Sequence, residues 1–233
     1  PRLNSEPAPG RPKVAFFIGC LIDKIFPEVA RSALHVMEHY GAGVFVPENQ
    51  GCCGIPALSS GDTDTFKRLL QHNLDRFSAV EFDILVTACA TCTATIKEIW
   101  PVMAKDLAGE LTDRVAVLAE KTQDIHQLLV RELGLKPTGE PSPDSEIRVT
   151  YHDPCHLRKS LGVVTEPRDV IRAVSGHRLV EMAESDACCG MGGSFNLKYY
   201  GISSRIGRLK RDHIQATGCR VGELVSMQRG DLD

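Results

Sequence analysis

The sequence predicts an α/β protein of two repeated subdomains, each a short parallel sheet flanked by helices, with cysteines at the carboxyl ends of the strands. Three observations predict it. Short apolar runs alternate with segments of helical periodicity, the pattern of parallel strands joined by helices. Cysteines recur where a predicted strand gives way to a loop or a helix. The series Cys20, Cys52-Cys53-Gly54 returns as Cys155, Cys188-Cys189-Gly190 at an offset of 135 to 136 residues. Self-similarity at a fixed offset marks a repeated unit.

The first repeat opens with Val14–Ile18, a continuous apolar run suited to a strand buried on both faces. Gly19-Cys20 ends it. A helix is expected from Pro27, with Val29, Ala33, Val36, Met37 and Tyr40 on one stripe and Gly41 as its stop. Val44–Val46 is a second strand. The loop after Pro47 delivers Cys52 and Cys53, with Gly51 and Gly54 letting the backbone crowd a ligand. Asp62 or Thr63 can cap a helix whose face is Phe66, Leu69, Leu70, Leu74 and Phe77. Ile84–Val86 is a third strand, followed directly by Cys89, and Cys92 starts a helix expected to break near Trp100-Pro101. Val115–Ala119 reads as a short strand. Thr122 reads as the cap of a helix burying Ile125, Leu128, Leu129 and Leu133, closed by Gly134.

The second repeat follows a connector rich in Pro, Gly and Ser. Ile147–Tyr151 is its first strand. Pro167 suits the first turn of a helix carrying Val170, Ile171 and Val174. Leu179–Met182 is a strand leading to Cys188 and Cys189, and Ile202, Ile206, Leu209 and His213 form the stripe of a last helix ended by Gly218. The boundaries are then 1–12, a proline-rich linker from a missing preceding domain; 13–135, the first cysteine-rich subdomain; 136–146, the connector; 147–218, an incomplete second subdomain; and 219–233, an atypical or truncated tail.

Composition excludes several classes. A chain of 233 residues can bury a real core without disulfides. Nine cysteines, an odd number without a secretion signal, point to a reducing, cytoplasmic setting and to metal-binding or catalytic thiols. A net charge of −3 makes no case for nucleic acid. No apolar run approaches the roughly 20 residues that span a bilayer, so any membrane association would be peripheral and through partners.

The chemistry follows from the thiols. Cys89 and Cys92 at a helix start can ligate one metal or neighbouring irons, and helix-end amides favour the thiolate. Vicinal Cys52 and Cys53 suit adjacent irons better than one tetrahedral ion. With Cys20 they make five thiolates, more than the four of a closed zinc site or a simple cubane cluster. Cys155, Cys188 and Cys189 supply three more. Gly190 and the following glycines give room beside a cluster, since the loop lacks the lysine and serine of a phosphate cradle. His152 and His156 flank Cys155; hydrogen bonding to the chain is the favoured role, metal ligation the alternative. Arg205, Arg208, Lys210 and Arg211 read as a solvated helix face.

The set Cys20, Cys52-Cys53-Gly54, Cys89, Cys92, with Tyr151-His-Asp-Pro-Cys155 and Asp186-Ala-Cys-Cys-Gly-Met-Gly-Gly193, closely resembles the cysteine-rich (CCG) domain family of iron–sulfur proteins. The likeness covers roughly Lys13 to Gly218. It is strongest to the lactate-utilisation and glycolate oxidase iron–sulfur branch, with the cysteine-rich chain of heterodisulfide reductase a more distant relative. The resemblance implies [4Fe–4S]-type centres, in some relatives a non-cubane double cluster held by all five cysteines of a repeat. It implies partners too: a flavin-containing hydroxyacid dehydrogenase subunit and other iron–sulfur subunits. Thiol–disulfide reduction at the first cluster and a zinc-stabilised interaction module are the alternatives. The second repeat departs from the pattern. Its Cys-x-x-Cys should fall near Val225 and Gln228, and no cysteine follows Cys219. The second site is therefore expected to bind its cluster weakly or not at all. Ala216–Leu232 instead locally resembles the region around the first catalytic arginine of tyrosine recombinases; the other motifs of that family are absent, and no activity is carried over.

Overall fold

The computed structural model describes residues 4–105, 109–137, 147–193 and 195–219. Most of the expected connector, Val225, Gln228 and all but the first residue of the tail lie outside them. The chain divides into two compact units, 1–134 and 135–233.

In the first unit β1 (Lys13–Phe17), β2 (Gly43–Phe45), β3 (Ile84–Thr87) and β4 (Thr122–Asp124) form a wholly parallel sheet in the order β2-β1-β3-β4. Val14, Ala15, Phe16 and Phe17 in β1 are fully buried, as the unbroken apolar run requires of a central strand covered on both faces. The crossovers are α2 (Pro27–His39) and α4 (Thr63–Phe77), with α7 (Gly109–Lys121) between β3 and β4. Asp62 caps α4 by accepting from the Thr65 amide. Phe66, Leu70, Leu74 and Phe77 carry its buried face, and Phe17, Phe77, Phe82 and Trp100 form a chain of ring contacts in the core.

Residues 4–8, within the expected linker, lie along this sheet. The Ser5 amide donates to Val44 O at 2.8 Å and Asn4 bridges Phe45 antiparallel.

In this unit three expectations need correction. Val115–Ala119 is the end of a helix, because Leu111, Val115 and Leu118 recur at helical spacing and Val117 faces solvent. The strand comes after it, at Thr122–Asp124. There Thr122 is a strand residue, and Asp124 caps α8 (Ile125–Gln127) by a capping box with Gln127. The helix after Cys89 does not break at Pro101. It runs from α5 (Ala90–Ala94) through a π-helical turn at Thr95–Ile99, where the Trp100 amide donates to Thr95 O five residues back, into α6 (Trp100–Ala104), and the wider turn admits Pro101 without ending the helix.

The second unit has β5 (Ile147–Val149) and β6 (His177–Leu179), paired parallel. β6 lies slightly earlier than the expected Leu179–Met182. α9 (Glu166–Arg172) has Pro167 in its first turn. Beyond β6 come α10 (Phe195–Lys198) and α11 (Tyr200–Ala216). The buried face of α11 is Ser203, Lys210 and Ile214, whereas Ile202 and Leu209 are exposed. The expected stripe is thus rotated, and Lys210 is not part of a solvated face.

Candidate metal centre

Each first-unit cysteine sits where a strand of the parallel sheet ends, the position at which open α/β sheets place their sites. Cys20 opens α1 (Cys20–Lys24) directly after β1, with Gly19 before it at φ 76. Cys52 and Cys53 lie on the loop between β2 and α3 (Ile55–Ser59). Cys89 precedes α5, which contains Cys92.

The five sulfurs form one contiguous chain. Cys20 Sγ is 3.4 Å from Cys52 Sγ, and a Cβ on Gly19 beside Cys20 would stand 3.0 Å from Cys92 Sγ. Cys52, Cys53, Cys89 and Cys92 all lie in or against one core cluster, where Cys52 and Cys53, Cys53 and Cys92, and Cys92 and Cys89 perturb one another. Cys53 and Cys92 are buried, Cys52 and Cys89 half-buried, and Cys20 exposed. Donation from Cys52, then from Cys92, lowers Cys53 to about 3. Donation from Cys92 lowers Cys89 to about 7. The donors move the other way, Cys52 through Cys53 and Cys92 through Cys53 and then Cys89. The shifts favour the thiolate at Cys53 and Cys89 and the thiol at Cys52 and Cys92. Among the described residues no three His, Cys, Asp or Glu side chains close around a single-ion site.

Buried and half-buried side chains hold this loop system. Gln50 accepts from the Ile18 amide at 2.8 Å and donates to Phe16 O, tying the end of β1 to the Cys52 loop. Asn73, fully buried on α4, accepts from the Gly51 amide at 2.8 Å and donates to Cys52 O at 2.9 Å. Thr87 Oγ1 accepts from the Cys89 amide at 2.9 Å. Trp100 Nε1 donates to Cys53 O. Sequence pattern singles out none of these four for the site. Asn73 alone leaves a signal, a polar residue on the apolar face of α4 seven positions after Phe66.

Gly54 has φ 93, and a Cβ there would lie 2.7 Å from the Phe66 ring. Its absent side chain thus makes room for α4, while its amide donates to Cys52 Sγ at 3.5 Å. Gly190 repeats the arrangement. At φ 84 its Cβ would meet Ser203 O at 2.5 Å, and its amide donates to Cys188 Sγ at 3.3 Å.

In the second unit Cys155 follows β5 and heads a π-helical turn at His156–Ser160, and Cys188 and Cys189 follow β6. Among the described residues, the sulfur-to-sulfur hydrogen bonding of the first unit is not repeated at these three. Asp153 joins their two loops. Its carboxylate, 1% exposed, accepts two hydrogen bonds from Arg168 at 2.8 and 2.9 Å, one from Arg158 at 2.9 Å and one from Ser185 Oγ at 2.7 Å. Burial alone would raise this carboxyl. The Arg168 and Ser185 hydrogen bonds and the Arg168 charge outweigh that and hold it at about 2. His152 Nδ1 lies 2.9 Å from Ser185 O, the chain-bonding role favoured for it, and with a carbonyl as partner that nitrogen is the donor. Cys219 stands apart. Its amide donates to Thr217 Oγ1, beside Arg148, whereas Gly190 packs on Ser203. Ser203 and Thr217 are separated by about 21 Å of helix rise.

The fold and the thiol arrangement define a duplicated α/β protein with cysteine loops at the carboxyl ends of its strands. The chain belongs to the cysteine-rich (CCG) domain family, whose model matches residues 14–97 and 149–225. It is 34% identical to lactate utilization protein A of Halalkalibacterium halodurans over 90% of this chain and 83% of that one. It is 31% identical to the probable glycolate oxidase iron-sulfur subunit of Bacillus subtilis over 93% of this chain, and spans 48% of that protein. Against one subunit of the fumarate reductase (CoM/CoB) of Methanothermobacter marburgensis identity is 34% over 87% of this chain, which spans 38% of that relative. Among the described residues no helix is long and apolar enough to cross a membrane.

Proposed function

We propose that this chain is an iron–sulfur electron-transfer module or subunit of a lactate- or glycolate-type 2-hydroxyacid oxidoreductase. The observation that carries the proposal is the contiguous chain of five sulfurs from Cys20 to Cys89. The donor set fits a polynuclear centre. A coordinating metal deprotonates its thiol ligands, neighbouring thiols already shift Cys53 and Cys89 towards the thiolate, and the Gly54 amide points at a ligand sulfur. Cys20, Cys52, Cys53, Cys89 and Cys92 would hold the first centre. Cys155, Cys188 and Cys189 would supply three ligands to a second.

A bound iron–sulfur cluster supplies one-electron redox chemistry, and the protein tunes it by burial, hydrogen bonds and nearby charge. Here Cys53 and Cys92 give the inner wall and exclude water. Trp100, Asn73 and Thr87 fix the backbone of Cys53, Cys52 and Cys89, so ligand positions are set before metal binds. Dehydrogenation of the hydroxyacid belongs to a flavin-containing partner subunit, with other iron–sulfur subunits completing the relay. The names of the lactate and glycolate relatives support this reading. The CoM/CoB relative and the exposed Cys20 favour a second one, thiol–disulfide chemistry at the rim of the first centre.

The test is iron and acid-labile sulfide quantitation on anaerobically prepared protein, with EPR of the oxidised and reduced forms. Iron and sulfide in comparable amounts, with a reducible signal, are expected. Bound zinc without sulfide would overturn the proposal.

A further inference from the structure

In each unit a helix packs on the glycine that follows the vicinal cysteines, and seven residues further along that helix a buried polar side chain bonds the cysteine loop. In the first unit the packing residue is Phe66 and the polar one is Asn73, which bonds Gly51 and Cys52. In the second the packing residue is Ser203 and the polar one is Lys210, 1% exposed, whose ammonium donates to Glu184 O at 2.7 Å and Ser185 O at 3.2 Å. The two positions correspond in their place on the helix, seven residues after the one that packs on the glycine. A neutral amide in one unit is a cation in the other.

The exchange is not a neutral one, since a buried charge costs several kcal/mol unless it is well paired. Around Lys210 the pairing is dense. Burial lowers the Lys210 pKa, and the Asp186, Asp153 and Glu184 carboxylates oppose that; His152 lies on the same Ser185 carbonyl, and Cys188 lines the same small cavity as Lys210. His213, one turn further along α11, bonds Ala183 O at 2.7 Å. The consecutive carbonyls of Ala183, Glu184 and Ser185 are thus all held by side chains. Glu184, at φ 50, takes the left-handed turn that presents them. This held segment leads directly into Cys188 and Cys189.

We propose that Lys210 is the positioning and charge-setting residue of the second thiolate site. It fixes the loop, and it places a positive charge in the cavity that Cys188 also lines. A centre held there accepts an electron more readily than it would over a neutral side chain in the place of Asn73. The physical reason is that the added electron stays on the centre, and a fixed cation across a poorly screened interior favours the reduced form. The inference rests on the proposed binding of an iron–sulfur centre by Cys155, Cys188 and Cys189.

The experiment is an EPR-monitored redox titration of the full chain, reconstituted anaerobically with iron and sulfide, with dithionite as the electron donor. Wild type is compared with Lys210→Asn, Lys210→Gln, Lys210→Arg and Cys92→Ser. Two couples are expected in wild type, with Cys92→Ser removing the first. Lys210→Asn should shift the second couple's one-electron equilibrium about tenfold towards the oxidised form, about 59 mV lower in potential, and leave the first unmoved. Lys210→Gln reads the same effect with a longer amide if the asparagine variant fails to fold. Lys210→Arg should hold the couple near wild type. Retention of the second couple only where position 210 is cationic also supports the proposal. An unmoved second couple in a folded neutral variant overturns it, as does an equal shift or loss in Lys210→Arg. A single couple, lost in Cys92→Ser, overturns the inference and leaves the proposed function standing. No couple at all overturns both.

Discussion

The indole Nε1 of Trp100 donates to the carbonyl oxygen of Cys53 at 2.9 Å, across 47 residues of sequence. Both residues are buried, so the bond has no water to replace it. Trp100→Phe leaves that carbonyl unpaired and a gap beside Phe17. It should cost about 2–4 kcal/mol from the lost bond and the lost volume. Chemical denaturation of the metal-free protein measures the cost, and faster iron release from the first site should accompany it.

The two loop glycines should differ in their tolerance of a side chain. Each has φ near +90°, which alone disfavours any other residue by about 1–2 kcal/mol. At Gly54 the obstacle is the Phe66 ring, which can shift, but at Gly190 it is the backbone carbonyl of Ser203 on α11. Gly190→Ala is expected to lower the melting temperature of its unit more than Gly54→Ala does in the first. Equal shifts in calorimetry would contradict this.

Asp153→Ala removes the acceptor shared by Arg168, Arg158 and Ser185. Taking one partner from a buried charged network costs about 3–5 kcal/mol. The second unit should therefore unfold at lower urea while the first is unchanged. Hydrogen exchange should locate the loosening at the loops carrying Cys155 and Cys188.

Iron should leave the second site first. The first unit offers five thiols in one chain, the second offers three, and Cys219 is at the wrong end of α11. A chelator added to reconstituted protein is expected to remove one fraction of iron quickly and the rest slowly. Cys92→Ser should keep only the fast fraction. A slow fraction surviving in that variant would sink the prediction.

The strands β1, β2 and β3 and the cysteines that follow them were legible in the sequence because both depend on local pattern. An apolar run such as Val14–Phe17 has few alternatives, and a glycine beside a cysteine marks a turn whatever surrounds it. What stayed hidden depends on distant partners. Lys210 reads as one more cation beside Arg208 and Arg211 until the carbonyls of Glu184 and Ser185 are brought to it, 26 and 25 residues away. Its burial turns α11, exposing Ile202 and Leu209. Val115–Ala119 misled for a simpler reason: a run of five small and apolar residues fits either period, and only Leu111 before it settles the phase. Gln50 and Thr87 carry no special chemistry of their own, so their backbone partners are what mark them, while Asn73 shows only as a polar residue on an apolar helix face.

The gradient of exposure along the sulfur chain, from Cys20 in solvent to Cys53 and Cys92 in the core, gives the first site a mouth and a floor. Ligand exchange with a metal donor would begin at the mouth, because Cys20 is the most exposed of the five thiols. The floor thiols then receive metal from within the pocket, by migration rather than by collision. Loading and theft of the metal would share one doorway, and a partner seated over Cys20 would act as its cork.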